Sequence, residues 1–274
     1  MTDYHLVIEA GKTERQYVKD LWRYRELFAF LAWREILIRY KQTVLGILWA
    51  IMRPLLTMLV FTFVFGKLAK FPSNGIPYPL LVFAGMLPWQ FFSSSLQESG
   101  GSLIANANMI SKVYFPRLVI PVSSVIVSLV DFLISFGILL VMMIFYPVSF
   151  SWNLLLLPFL LLIAFACSLG AGLWLSALSV KYRDFRYIIP FLLQFGLYIS
   201  PVGFLSSVIP EKWRLLYSMN PMVGVIDGFR WALLGEKLSF YWPGFLISLL
   251  LVLFLFSTGL WYFRNTEKTF ADVI

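Results

Sequence analysis

Two rows of polar side chains lie inside otherwise apolar stretches of this sequence, and both could act on a ligand. Ser124, Ser128, Asp131 and Ser135 are spaced by four, three and four residues, which puts them on one face of a helix. A charged side chain in the middle of a membrane costs roughly 2.5–3.5 kcal/mol, so this face must look into protein or water. We interpret it either as a hydrogen-bonding seam between helices or as part of a substrate path.

The second row of polar side chains is uncharged. Three of its members share a helical face, and two aromatic residues lie beside them. Aromatic faces can stack on sugar rings, and amide side chains can hydrogen-bond hydroxyl groups; packing in a protein core is the alternative. A weaker row of the same kind occurs on a later apolar stretch. The candidate path residues are Trp89, Gln90, Phe92, Ser94, Gln97, Asp131, Gln194 and Tyr198.

Residues that support common enzyme chemistry are scarce. The sequence has no G-x-x-x-x-G-K-[ST] loop to cradle a nucleotide. Its only histidine is His5, in a polar tail, and its only cysteine, Cys167, lies within an apolar stretch. Metal sites usually need several such ligands. We therefore predict no catalytic residue, no metal site and no cofactor in this chain, and a membrane-bound glycan or lipid enzyme lacks its catalytic constellation.

The elements that must position these residues are membrane helices. The chain is 60% hydrophobic and 13% charged, whereas soluble domains are about 45–50% apolar and about 25% charged. A span needs ~20 mostly apolar residues, far more than a barrel strand. The sequence therefore predicts an all-α integral membrane protein with six spans: Val44–Phe65, Tyr78–Leu96, Leu118–Tyr146, Trp152–Val180, Tyr187–Leu205 and Trp242–Phe263.

The positive charges orient these predicted spans. Sixteen of the 22 lysines and arginines fall in the N-terminal segment, the tail and the two loops on the same side. The positive-inside rule then places both termini in the cytoplasm. The first 43 residues are polar and basic without a cleavable signal pattern, so span one is expected to serve as the uncleaved signal. The net charge of +8 calls for no nucleic acid, since anionic lipid explains it.

The predicted cytoplasmic tail and interface helix cover residues 1–43, before the six-span domain of residues 44–274. Leu21, Tyr24, Leu27, Phe28 and Leu31 recur at helical spacing among basic residues, which indicates an amphipathic helix at the membrane surface. It is either a lipid anchor or a platform that also contacts a cytoplasmic partner. Its basic end is predicted to face lipid headgroups through Arg34, Arg39 and Lys41.

Two further segments interrupt the spans. In residues 99–118, Gly100-Gly101 is expected to break the helix and Pro116 to force a bend, leaving a short helix at about Asn106–Phe115 that could dock a partner or be a plain loop. In the external segment, residues 206–241, the apolar run Met222–Leu234 is predicted to dip back into the membrane as a short re-entrant helix.

Two smaller predictions concern packing: a local ion pair between Asp227 and Arg230, and a small-residue seam at Ser168, Gly172 and Ser176.

Four motifs in order resemble a known family. They are the run from Arg39 to Trp49 with Pro54-Leu55, the run from Ile110 to Arg117 with Pro121, Tyr182-Arg183-Asp184, and Asn220-Pro221 with Phe229-Arg230. The chain resembles the permease subunits of type-2 ABC exporters over nearly its whole length, and the nearest likeness is to those exporting O-antigen, teichoic acid and capsular polysaccharide.

The resemblance implies a homodimer with two copies of a separate cytoplasmic ATPase, which binds ATP and Mg. It implies export of a lipid-linked polysaccharide across the bacterial inner membrane. It also implies that the segment before span three couples to the ATPase, through Asn106, Asn108, Ser111, Lys112, Tyr114, Phe115 and Arg117. A type-2 exporter of drugs or small lipids is the alternative within the family. An ion-coupled secondary transporter is the alternative outside it, but it would need ionisable pairs in the membrane, where only Asp131 is plainly available.

Overall fold

The structure, a computed structural model, describes residues 21–41, 46–146, 152–235 and 238–270. Some predicted features lie outside these ranges. They are the polar tail with His5, the start of the first predicted span at Val44, and the last residues, 271–274.

The described chain is helical, with no β-strand in these ranges. The all-α fold is therefore confirmed. The helices, numbered in chain order, are α1 Arg25–Lys41, α2 Gly46–Phe61, α3 Tyr78–Ala105, α4 Ala107–Ile110, α5 Val119–Phe145, α6 Leu157–Lys181, α7 Phe185–Ile199, α8 Glu211–Tyr217, α9 Pro221–Leu234 and α10 Trp242–Thr266. A π-helix, Thr62–Leu68, extends α2, and a 3-10 helix, Trp152–Leu156, precedes α6.

Four helical stretches are long and apolar enough to cross a membrane. They are Leu48–Leu68, Val119–Phe145, Trp152–Lys181 and Trp242–Thr269. The apolar helix α7 has 15 residues, which at 1.5 Å per residue is about 22 Å, less than the ~30 Å of a bilayer core. Helix α3 has 28 residues but carries polar side chains in its second half. The predicted count of six spans therefore still depends on α3 and α7.

Helix α3 lies at the centre of the fold, against α5, α6 and α9. Every residue from Leu80 to Trp89 is buried, because these helices surround it. Helix α6 in turn packs on α10, where Gly170 and Gly259 let the two backbones approach each other. Ser168, Gly172 and Ser176 are buried within α6, and Gly172 faces Ser99 of α3. This confirms the predicted packing seam.

The segment between α3 and α5 differs from the prediction. Gly100-Gly101 does not break the helix, since α3 continues to Ala105. A glycine costs a helix about 1 kcal/mol, but at position 100 a Cβ would lie 2.6 Å from Ile189 of α7, so the glycine lets the two helices pack closely. The helix predicted over Asn106–Phe115 is also too long, because α4 covers only Ala107–Ile110.

Candidate functional site

Several of the predicted site residues meet in a cluster of charges between α1, α3 and α5. The Arg39 guanidinium donates to Asp131 of α5 at 2.7 Å and to Glu98 of α3 at 2.5 Å. The Tyr40 hydroxyl also donates to Asp131. We call these four residues the inner charge cluster. Asp131 thus has a positive partner within the chain, which favours the interhelical seam over a substrate contact.

Two further contacts hold α1 along the same surface. Arg34 donates to the Asn106 side-chain oxygen at 2.9 Å, immediately before α4. In the second turn of α5, the Ser124 hydroxyl donates to the Glu35 carboxylate of α1 at 3.5 Å. Burial raises the pKa of Glu35, although Arg34 nearby opposes that shift. Helix α1 therefore contacts both the segment predicted to dock a partner and the polar row of α5.

These contacts revise the predicted headgroup residues. The side chains of Arg34 and Arg39 bind protein groups, whereas Lys41 is exposed. The sequence could not indicate this, because Glu98 and Asp131 are 59 and 92 residues away from Arg39. A contact with lipid headgroups stays a prediction for Lys41.

The residues predicted to couple to a partner separate into two groups. Asn108, Ser111, Lys112 and Tyr114 are exposed, as is the neighbouring Val113. We call these five residues the docking patch. The other three are engaged within the chain: Asn106 accepts from Arg34, Phe115 is buried with 4% of its surface exposed, and Arg117 donates to the Glu267 carbonyl. The Phe115 ring packs in the core of the described chain, so direct contact with a partner stays a prediction for the exposed residues alone.

Two of the candidate path residues of α3, Trp89 and Phe92, lie at its contact with α7. The Trp89 ring is 5% exposed and lies against Gly196, and its centroid is 5.6 Å from that of Phe92. The Ser94 hydroxyl donates to the Gln90 carbonyl at 2.8 Å. Gln90, Phe92 and Ser94 are half-buried, while Gln97 is exposed. The structure thus brings Trp89 and Phe92 together, but as packing between two helices of the single chain.

Helix α7 carries the remaining candidates on an open face. Gln194 and Tyr198 are exposed. The aromatic neighbours Tyr187, Phe191 and Phe195 are exposed on the same helix. These exposed aromatic rings, together with Gln194 and Tyr198, form what we call the α7 face. An apolar face this wide needs lipid or protein against it.

At the opposite end of α3, the buried Arg230 of α9 makes an arrangement that the sequence did not indicate. With 1% of its surface exposed, its guanidinium donates to the carbonyls of Leu81 at 3.0 Å, Phe204 at 2.7 Å and Val202 at 2.6 Å. The ion pair predicted between Arg230 and Asp227 is wrong. Arg230 instead reaches backbone oxygens far along the chain.

Three more side chains bind the segment that follows α7. Tyr217 donates to the Ile199 carbonyl at 2.7 Å, Asn220 to the Ser200 hydroxyl at 3.0 Å, and Tyr78 to the Gly203 carbonyl at 2.6 Å. We call this segment, Ile199 to Phe204, with Arg230 and these three side chains, the outer anchor. The motif Asn220-Pro221 was the available signal: Asn220 also caps α9 by accepting from the Met222 amide, and Pro221 follows as its first residue.

A known protein family matches the part of the chain that holds the sites described above. The family model described as ABC-2 type transporter matches residues 26–234. That range begins within α1 and ends at the last residue of α9, so it includes the inner charge cluster, the docking patch and the outer anchor.

Individual relatives cover most of the chain. The O-antigen export system permease protein RfbA of Myxococcus xanthus is 30% identical over 260 residues, 94% of this chain and 98% of the relative. A protein of the same name from Klebsiella pneumoniae is 30% identical over 257 residues, 91% of this chain and 95% of the relative. The polysialic acid transport protein KpsM of Escherichia coli is 27% identical over 214 residues, 75% of this chain and 80% of the relative.

Proposed function

Because this chain belongs to the ABC-2 type transporter family, we propose that it is the membrane-spanning subunit of an ATP-driven exporter that moves a lipid-linked polysaccharide across the bacterial inner membrane. The observation that carries the proposal is the likeness, over more than nine-tenths of the chain, to permeases named for O-antigen export. The polysialic acid transport protein extends that likeness to another polysaccharide, so an O-antigen or a capsule type is favoured over a teichoic acid.

ATP hydrolysis belongs to a separate partner in this proposal. The sequence has no phosphate-binding loop, and a cytoplasmic ATPase subunit would bind ATP and Mg. The docking patch supports contact with such a partner, because its five side chains are exposed beside the shortest helix, α4. Arg34 connects the residue before α4 to α1, so a force applied at the docking patch reaches α1 directly.

The working unit would be two copies of this chain with two ATPases, both termini facing the cytoplasm. The α7 face supports a second copy as its partner, since Tyr187 is 78% exposed and Phe191 is 64% exposed. Helix α2 offers further exposed apolar side chains, including Trp49 and Leu59. A polymer path between two copies would use Gln97, Gln194 and Tyr198 at its surface. Neutral amides and rings hold sugars weakly enough for passage, with Trp89 and Phe92 supporting them from behind.

The test is purification of the chain from its own cells together with the ATPase subunit that it binds, in lipid nanodiscs. We expect lipid-linked polysaccharide extracted from the same cells to stimulate ATP hydrolysis, and the chain alone to hydrolyse no ATP. Phe92→Ala, at a half-buried position, and Tyr198→Ala, at an exposed one, should lower surface polysaccharide while assembly stays normal, and Phe254→Ala, an exposed aromatic position of α10, is the control. Stimulation by drugs or short-chain lipids but not by the polysaccharide would contradict the proposed substrate.

A further inference from the structure

We propose that Arg230 is a positioning residue that fixes the outer end of α7, so that α7 moves about this end during transport. The inference rests on the proposed function in one respect, namely that α7 lies beside the transport path. Its structural part concerns only how the two ends of one helix are held.

The outer end of α7 is held by side chains from three other helices. Arg230 of α9 binds two carbonyls of the outer anchor, those of Val202 and Phe204, and joins them to Leu81 of α3. Tyr78 of α3 and Tyr217 of α8 bind two more carbonyls. Because these donors come from separate elements, the segment cannot shift without breaking several hydrogen bonds at once.

Packing around the outer anchor is equally tight. Ser200, Pro201, Val202 and Gly203 are all buried. A Cβ at position 203 would lie 2.6 Å from the Phe65 ring, so the segment fits closely under the end of α2. Phe65 and Phe204 have centroids 6.4 Å apart, and Phe71 lies 5.9 Å from each of them. Close-packed rings of this kind resist small displacements.

The rest of α7 is held loosely by comparison. Ile189 and Leu193 are its only buried side chains. The loop before it, from Lys181 to Asp184, is exposed throughout. Pro190 has no amide to donate to the carbonyl one turn earlier, which allows the helix to bend there. The structure therefore describes a helix whose outer end runs into a hydrogen-bonded segment, whereas the rest of the helix is held by the packing of Ile189 and Leu193.

The inner end of α7 also contacts the part of α3 that leads to the docking patch. The Ile189 side chain lies against Gly100 of α3, five residues before α3 ends at Ala105. A displacement of the docking patch can thus reach α7 through this contact, while Arg230 keeps the other end in place. The result would be a tilt of the α7 face. Gln194 would move more than Tyr198, because it lies farther from the fixed end of the helix.

Arginine suits this position because its planar guanidinium presents several donors in a fixed arrangement, whereas lysine presents one mobile ammonium group. Gly85 of α3 makes room for the guanidinium, and a Cβ there would overlap it. Arg230→Lys therefore keeps the positive charge and loses the joined contacts. Tyr78→Phe removes one hydrogen bond of the same anchor and keeps the ring.

The experiment compares hydrogen–deuterium exchange and export in the full complex of this chain with its ATPase subunit. In the unaltered complex, amides of residues 199–205 should exchange at least about ten-fold more slowly than those of residues 185–192. Arg230→Lys should raise exchange about ten-fold at residues 199–205 and leave α10 unchanged. Tyr78→Phe should raise it several-fold there. Thr258→Val is the matched control, since it removes one hydrogen bond, from Trp174, in the α6–α10 pair.

Export provides the readout that a purely structural role would not move. Surface polysaccharide, labelled by periodate oxidation and a hydrazide dye, should fall at least five-fold in Arg230→Lys cells, while complex assembly and ATP hydrolysis stay within two-fold. Equal exchange at the two ends of α7, or unchanged exchange in both anchor variants, would overturn the inference. So would a parallel loss of assembly, hydrolysis and export. Exchange needs no polysaccharide, so failure of the proposed substrate alone would leave the expected exchange pattern intact.

Discussion

The inner charge cluster and the outer anchor both use an arginine to join distant parts of the chain, but they do so in different surroundings. At the inner cluster, the side chains of Arg39, Glu98 and Asp131 are 29%, 49% and 31% exposed. At the outer anchor, Arg230 is 1% exposed and binds backbone carbonyls. Water and salt can therefore compete for the first set of contacts and hardly reach the second.

This difference indicates different mechanical uses. Exposed ion pairs contribute little to stability, about 0–1 kcal/mol, and re-form easily. A buried guanidinium that loses its partners leaves an uncompensated charge and unsatisfied carbonyls, which is expensive. The inner charge cluster is thus suited to contacts that break and re-form, and the outer anchor to a contact that persists. Breaking each region in turn tests this contrast.

The largest effect is expected from Arg230→Met. The change removes the donor from three carbonyls, and an unsatisfied buried group costs about 1–3 kcal/mol, so we expect destabilisation of at least about 3 kcal/mol. Thermal unfolding of the purified chain in nanodiscs measures it. Lys212→Met, an exposed position on α8, is the control and should change little. Equal unfolding temperatures for the two variants would show that the outer anchor is not a strong contact.

A smaller loss is expected from Gly85→Ala. The added methyl group overlaps the Arg230 guanidinium, and overpacking of a buried site typically costs about 1–3 kcal/mol. Gly101→Ala on the same helix is the matched control, since no atom lies within 4 Å of the added Cβ; with the better helix propensity of alanine it should be neutral or slightly stabilising. If both substitutions behave alike, the guanidinium can move and the anchor is looser than its geometry implies.

The comparison also shows what the sequence could predict. Local patterns sufficed for the all-helical fold, for most of the long apolar helices and for the small-residue seam of α6, because hydropathy and helical spacing are local properties. Partners across the fold were not predictable. Asp131 gave a correct signal that it needed a partner, but Arg39 was assigned to lipid, and Arg230 was paired with its neighbour Asp227 when its acceptors lie 26 to 149 residues away. Gly100 was mistaken for a helix breaker because its close neighbour, Ile189, belongs to another helix.

A still smaller loss of stability, dependent on salt, is expected at the inner charge cluster. Arg39→Ala leaves Asp131 and Glu98 without this cation, and because the pairs are partly exposed we expect a loss of about 1 kcal/mol. Raising NaCl to 1 M should weaken the docking of α1 in the unaltered chain and have little further effect in the variant. Exchange of the α1 amides measures this. The double variant Arg39→Asp with Asp131→Arg should restore part of the loss; no restoration would mean that charge pairing does not hold α1.

The smallest effect is expected at Glu35, and it depends on pH. Burial raises the pKa of this carboxyl above its ordinary value, so the folded chain binds its proton more tightly than the unfolded chain does. Its favourable contribution is therefore complete below the unfolded pKa and is lost as pH rises through the raised folded pKa. At pH 7.5 an ionised Glu35 lowers the stability of the folded chain slightly, and partial exposure to solvent reduces this cost.

Glu35→Gln keeps an oxygen for Ser124 and should slow α1 exchange slightly at pH 7.5, by no more than about 0.5 kcal/mol, with the difference vanishing towards pH 4. Glu26→Gln, exposed on the same helix, should show neither change. Faster exchange in Glu35→Gln at pH 7.5 would mean that attraction to Arg34 and Arg39 outweighs the cost of burial, and that Glu35 belongs to the inner charge cluster as its fourth charged member.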